Sequence, residues 1–278
     1  MLKKGPIGVF DSGYGGLTVL KEFISLLPEY DFLYLGDNAR TPYGTRSFET
    51  VYEYTLQCVK WLLKNNCPLI ILACNTASAK ALRSIQQNDL YKLNPEARVL
   101  GVIRPTAEVI NNHTTTKSIG ILGTTGTIQS GSYQIEIGKI HPEIKVHQHA
   151  CPLWVPLIEN NQHESESAEI LIKNDVEKLL TTDKNIDAVL LACTHYPLII
   201  ETIKRYVPEN IEVISQGEIV AKALQDYLRR HPDMDEKCSK SGKLVFYTTD
   251  SSADFDSHSG AFFGRKISSQ HLPVHDLQ

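Results

Sequence analysis

Two cysteines, Cys74 and Cys193, stand where chemistry is easiest to build. Each closes an apolar run, Leu69–Ala73 before Cys74-Asn75-Thr76 and Ala188–Ala192 before Cys193-Thr194-His195. Thiols facing each other across a small molecule suit stereoinversion, in which one group removes a proton from one face of a carbon and the other delivers one to the opposite face. A thiol with an ordinary pKa of about 8.5 must be shifted or paired to act as a base near neutral pH. His195 lies two residues beyond Cys193, and Asp11 ends the first apolar run, whose tip should adjoin that of the Cys74 run. Both are candidate helpers of proton transfer. Either cysteine taken alone reads equally well as a small buried hydrophobe, so the pairing carries the inference.

Hydroxyl and amide side chains follow the same run ends: Ser12-Gly13, Asn75-Thr76, Thr124-Thr125-Gly126-Thr127 and Thr194. At the start of helices such residues present hydroxyls and free backbone N–H groups to an anion, and two nests suit a ligand with two carboxylates. The same pattern also describes ordinary helix caps without a ligand. Gly13-Tyr14-Gly15-Gly16 has neither the Walker nor the dinucleotide spacing, so no nucleotide is expected. His147, His149 and Cys151 alternate and could join Cys193 and His195 in a zinc-like set. No pair has zinc-finger spacing, and alternating histidines on a strand more often face the surface or pack, so no metal is expected.

Short runs rich in Ile, Val and Leu alternate with amphipathic stretches, the pattern of buried parallel strands separated by helices. Strands are expected at 7–10, 32–35, 69–73, 99–103, 118–122, 145–149, 188–192, 211–214 and 244–247, and helices at 15–27, 47–65, 77–87, 164–181, 198–206 and 217–230. Ile7–Gly13 is echoed by Ile119–Thr125, and Leu69–Thr76 by Ala188–His195, at offsets of 112 and 119 residues. Two echoes in one order at nearly one offset indicate duplicated lobes. The expected fold is α/β, with two pseudo-symmetric, doubly wound lobes, mainly parallel sheets and an active-site cleft between them. Residues 1–104 and 213–278 should form the first lobe, which carries Asp11 and Cys74, and 105–212 the second, which carries Glu159, Cys193 and His195. The crossings fall near Pro105 and at Ser215-Gln216-Gly217, and the tail from Ser257 onwards reads as partly mobile. Ligands of open parallel sheets sit beyond the carboxyl ends of the strands, where both cysteines lie.

The 278 residues are 42% hydrophobic, and 28 Lys and Arg against 32 Asp and Glu leave a net charge of −4. That is the composition of a globular chain with no electrostatic footprint for nucleic acid or an anionic membrane. Apolar runs fall short of the roughly 18 residues of a spanning helix, and the first residues lack a signal-peptide core. A cytoplasmic protein with reduced cysteines is therefore expected.

Together Asp11-Ser12-Gly13-x-Gly15-Gly16, Pro42-Tyr43-Gly44, Cys74-Asn75-Thr76-Ala77-Ser78, Gly123-Thr124-x-x-Thr127, Cys151-Pro152-Leu153 and Cys193-Thr194-His195-Tyr196-Pro197 resemble the glutamate racemases of the cofactor-independent aspartate/glutamate racemase superfamily. The resemblance spans Ile7 to about Gly264. It implies racemisation of L- and D-glutamate by two bases without pyridoxal phosphate or another cofactor, Cys74 deprotonating the D-isomer and Cys193 the L-isomer. It further implies that Asp11 and His195 assist the thiols and that Glu159 is a supporting carboxylate. Ser12, Pro42, Tyr43, Gly44, Asn75, Thr76, Thr124, Thr127 and Thr194 match its glutamate-binding positions. The biological role implied is supply of D-glutamate for peptidoglycan, and a homodimer is the expected assembly. Asp11 stands so near the start that the extension with which some members bind a cell-wall precursor is not expected. Aspartate racemases usually carry Glu where His195 stands, and arylmalonate decarboxylases keep only one of the two cysteines. Thr106 departs from the small Gly or Ala expected after Pro105, which bears on the lobe crossing. A two-lobed binding protein that clamps an amino acid without chemistry is the reading from another class, and it would need neither thiol.

Overall fold

The computed structural model describes residues 4–277, so residues 1–3 and 278 of the expected first lobe lie outside the described residues. Its strands are β1 (Ile7–Asp11), β2 (Phe32–Gly36), β3 (Leu69–Leu72), β4 (Arg98–Gly101), β5 (Ser118–Gly123), β6 (Lys145–Ala150), β7 (Ala188–Ala192), β8 (Glu212–Ile214), β9 (Leu244–Thr248) and β10 (Ser269–His271). They form two sheets, ordered β10-β9-β2-β1-β3-β4 and β6-β5-β7-β8, with every pairing parallel. The run β2-β1-β3-β4 has the same order as β6-β5-β7-β8, and the sequence echoes fall on the matching pairs β1/β5 and β3/β7. The doubly wound, pseudo-symmetric α/β fold read from the sequence is the fold observed.

Alternation along the strands divides the core. Ile7 and Val9 of β1, Leu69 and Ile71 of β3, and Val189 and Leu191 of β7 belong to one large cluster shared by the two sheets. Phe10, Ile70 and Leu72 face a second cluster confined to the first sheet, and Ile119, Ile121, Ala188 and Leu190 a third confined to the second. Strands buried on both faces need continuous apolar runs, which is why these segments stand out in the sequence. Each fully buried Leu or Ile contributes about 1.5–3 kcal/mol, so the sheets are firm platforms for what lies at their ends.

Following the sheets, we divide the chain into two lobes that meet at the crossings. The outward crossing is the helix Ile103–Val109, which contains Pro105. β8 carries the second sheet to Ile214, two residues past the return expected at 212/213, and Ser215-Gln216-Gly217 leads into the helix Gly217–Arg230.

The tail departs from expectation. It folds as the helix Ser252–Phe263, then β10, then a turn that buries Leu272 and Leu277. Phe255, Phe262 and Phe263 seat that helix in the large core. The signal was present as apolar residues at helical spacing, diluted by a stretch of Ser, Asp and His.

Candidate active site

Cys74 directly follows β3 and caps the helix Asn75–Lys80, its sulfur accepting from Ala77 N–H at 3.4 Å. The helix begins two residues before the expected 77, which puts the thiol at its very start. Cys74 Sγ donates to Ser12 Oγ at 3.5 Å. Asp11 ends β1, the neighbour of β3, and is fully buried; one carboxyl oxygen accepts from Gly13 N–H at 3.0 Å, and the other from Thr194 Oγ1 at 3.3 Å. Burial raises the Asp11 carboxyl above its ordinary value, opposed by the charge of His195. Burial, with Asp11 adding to it, pushes the Cys74 thiol up to about 12.

Cys193 occupies the matching place after β7, and His195 follows within one turn. His195 Nδ1 lies 3.9 Å from Cys193 Sγ, and Nε2 lies 3.0 Å from Glu159 Oε1 at the end of the helix Trp154–Glu159. Burial alone would lower the imidazole; the hydrogen bonds with Cys193 and Glu159 overcome it and raise it to about 10. Glycine at position 15 makes this arrangement possible, because a Cβ there would stand 2.2 Å from Thr194 Oγ1 and 2.4 Å from His195 Nδ1. The tail helix closes the other side, with Phe262 edge-on to the His195 ring at 5.3 Å.

Hydroxyls line the floor between the thiols. Thr76 Oγ1 and Thr124 Oγ1 are 2.9 Å apart across the lobes, and Thr127 Oγ1 backs both at 3.4 and 3.1 Å. Thr124 caps the helix Thr125–Gln129. The Pro42-Tyr43-Gly44 loop comes over from the first lobe, where Tyr43 OH donates to the buried Asp37 carboxylate and Gly44 C=O accepts from Gly126 N–H at 2.7 Å. A Cβ on Gly44 would meet Thr124 Cβ at 2.8 Å, so glycine permits the close approach. Asp37 is itself held by Arg40 at 2.7 Å and Thr249 at 2.8 Å.

A cavity with an empty volume of about 530 Å³, its open mouth included, runs between these groups. Ser12, Pro42, Tyr43, Gly44, Cys74, Asn75, Thr76, Thr124, Cys193, Thr194 and His195 line it, all singled out by sequence. Asp11, Glu159 and Thr127 stand behind that lining. Thr125 and Pro152, each inside a stretch the sequence singled out, also line it, as do Thr41, Thr45, Val155 and Pro156, which were not anticipated; their nearness to the motifs was the available signal. The zinc-like set does not assemble as described: His149 and Cys151 lie with Asp175, not with Cys193 and His195. Asp175 there accepts from Trp154 Nε1 and pairs with His149 Nε2, both at 2.9 Å.

A family model described as Asp/Glu/Hydantoin racemase matches residues 15–224. The chain belongs to that family. It is an amino-acid racemase, 38% identical to the glutamate racemase of Geobacter metallireducens over 94% of this chain and 93% of that one. Among solved structures, a glutamate racemase from Bacillus anthracis superposes with a TM-score of 0.88 at 34% identity, covering 98% of each chain. One from Francisella tularensis, in complex with D-glutamate, gives 0.84 at 33% identity over 97% of each. As in other members of this racemase family, the fold is a pair of α/β lobes. No helix among the described residues is long and apolar enough to cross a membrane.

Proposed function

We propose that this racemase interconverts L- and D-glutamate by proton transfer between Cys74 and Cys193, without pyridoxal phosphate. The observation that carries the reading is that two thiols from matching strand ends of separate sheets line one cavity. Relatives named glutamate racemases, and a similar structure holding D-glutamate, support the substrate.

In the L to D direction the Cys193 thiolate takes the Cα proton; the C–H bond breaks, S–H forms, and the electron pair moves into the carboxylate as an enediolate. The Cys74 thiol then gives its proton to the opposite face of Cα and is left as thiolate. The D to L direction is the reverse. A thiol pushed up to about 12 rests protonated at neutral pH, which is the form Cys74 needs as donor to the carbanion. His195, raised to about 10, keeps its proton and turns Nδ1–H toward Cys193 sulfur, while Glu159 holds the ring from behind. Ser12, Thr76 and Thr124, with the backbone N–H groups at the adjoining helix starts, offer donors to the two carboxylates. Among the described residues no lysine lines the cavity to form the internal Schiff base that pyridoxal chemistry employs. The role we infer is supply of D-glutamate to peptidoglycan synthesis.

The decisive experiment incubates the purified protein with L-glutamate, and separately L-aspartate, in D2O, following optical rotation and loss of the Cα proton by NMR. Racemisation with deuterium uptake on glutamate is expected. Activity on aspartate alone would move the substrate assignment, and silence on both would favour the binding-protein reading.

A further inference from the structure

Behind the cavity, a chain of buried hydrogen bonds runs from the lobe crossings to the residue next to Cys74. Asn75 Oδ1 accepts from Tyr133 OH at 2.5 Å; Tyr133 belongs to the helix Ser132–Ile140 of the second lobe. Tyr133 oxygen accepts in turn from Gln216 Nε2 at 2.5 Å, and Gln216 sits in the return crossing. The second N–H of Gln216 reaches Thr106 Oγ1 at 2.8 Å, and Thr106 donates to Val102 C=O at 2.9 Å within the outward crossing. All four side chains are 5% exposed or less.

We infer that Tyr133 and Gln216 are positioning residues for the racemisation, holding the Asn75 side-chain amide with its N–H donors free for the substrate. The inference rests on the proposed reaction. Its basis is that, with Gln216 Nε2 facing Tyr133 and Thr106 and the Thr106 hydroxyl given to Val102 C=O, the proton directions admit one consistent assignment. Gln216 Nε2 has two hydrogens and no lone pair to offer, so Tyr133 and Thr106 must both accept from it, and each then has one proton to give. Tyr133 gives its proton to Asn75, which fixes that contact as Oδ1. Were the Asn75 amide reversed, the Tyr133 hydroxyl hydrogen would have no acceptor in a dry interior, where an unpaired polar group is costly. Burial raises the Tyr133 hydroxyl above its ordinary value, so it remains a donor through the working pH range. Asn75 lines the cavity, and its Nδ2 makes no hydrogen bond within the protein among the described residues. The orientation that satisfies the buried chain therefore leaves the donors of Asn75 for a ligand beside Cys74.

Thr106 acquires a role here as well. The sequence departs from a small residue at that point, and its hydroxyl completes the chain by pairing the second N–H of Gln216 and tying the two crossings together.

The test is a double-mutant cycle read in glutamate kinetics. Tyr133→Phe removes one oxygen and should raise KM about tenfold, the loss of one hydrogen bond, with kcat within about threefold of the starting enzyme. Asn75→Ala should raise KM comparably, and Tyr133→Phe should add nothing further in that background, because both changes remove one interaction. Thr106→Ala, which spares the Tyr133–Asn75 contact, should raise KM only two- to threefold. An unchanged KM in Tyr133→Phe, or an undiminished effect on top of Asn75→Ala, would overturn the assignment in favour of a merely structural tyrosine. An independent reading comes from protein labelled with 15N in asparagine, where the Asn75 side-chain pair is the one absent from Asn75→Ala. That pair should shift and broaden in Tyr133→Phe, and an unmoved pair would sink the inference. If the unaltered protein fails to racemise glutamate, the proposed function is what fails, and the NMR result still decides the hydrogen-bond chain.

Discussion

Cys74 and Cys193 hold the same place in two copies of one strand order, yet their surroundings differ in charge. Around Cys74 stand a hydroxyl, a backbone N–H and the buried Asp11 carboxyl; the thiol is pushed up to about 12. Around Cys193 stands an imidazole raised to about 10 and held at 3.0 Å by a carboxylate from a separate helix. Position is set by the duplicated sheet, which brings matching strand ends to one cavity. Chemistry is set by the two residues that follow each cysteine, Asn75-Thr76 against Thr194-His195, and by what the rest of each lobe brings to them. A reaction that uses one thiol as acid while the other is base suits this inequality. One tie between the halves is the Thr194–Asp11 hydrogen bond, which reaches from one side to the other.

The severest way to break the comparison is to remove either thiol. Cys74→Ser and Cys193→Ser should each lower racemisation by about 10³-fold in both directions, since each transfer needs a partner on its own face. Proton exchange sharpens the result. In D2O, Cys74→Ser should retain Cα exchange on L-glutamate and lose it on D-glutamate, and Cys193→Ser the opposite. Exchange of both isomers by either variant would contradict one thiol per face.

Next in size is Glu159→Gln, which leaves His195 hydrogen bonded and removes the charge behind it; a fall in kcat of about 10- to 100-fold is expected. Because the two isomers have equal free energy in solution, kcat/KM must fall equally in both directions. The asymmetry appears instead in isotope effects. Slowed transfer at Cys193 should raise the effect on kcat/KM for α-deuterated L-glutamate and lower it for the D-isomer. Equal changes for both isomers would show that Glu159 serves the two thiols alike.

The same ion pair makes a prediction about stability. His195 is raised from 6.5 to about 10 in the folded protein, so the folded state binds its proton more tightly than the unfolded chain. Its contribution is complete below about pH 6.5 and drains away as the pH rises towards 10. Thermal unfolding should therefore shift downwards by a few degrees across that window, and the slope should flatten in His195→Gln. Parallel slopes for the two proteins would mean that other groups set the alkaline limit.

How far the sequence disclosed this comparison follows from where each residue gets its place. Cys74 and Cys193 were legible because strand, cysteine and cap are contiguous, and the repeat announced that two such units exist. His195 was legible at two residues from Cys193, and Asp11 because adjacent strand ends put it beside Cys74. Glu159 came only through resemblance, since 36 residues separate it from the imidazole it pairs with. Tyr133 and Asp37 gave no signal, and Gln216 only that of a lobe crossing, because side-chain bonds across 58, 83 and 6 positions with no motif have no period to read. The tail was misjudged for a related reason. Phe255 and Phe262 show their purpose only against Tyr14 and His195, which approach them from distant parts of the chain.

The smallest expected effect tests the other half. Ser12→Ala removes the hydroxyl 3.5 Å from Cys74 sulfur, a weak neutral contact, and leaves the Asp11 and Ala77 contacts in place. A loss of about 1 kcal/mol or less, roughly two- to fivefold in kcat, is the scale of such a bond. Its isotope effects should run opposite to those of Glu159→Gln, rising for α-deuterated D-glutamate and falling for the L-isomer, because the transfer it weakens is the one at Cys74. Opposite signs from two substitutions on opposite sides of one cavity would establish that each half governs its own proton. Matching signs would mean that Ser12 acts on bound substrate, and the unequal surroundings of the thiols would then need another explanation.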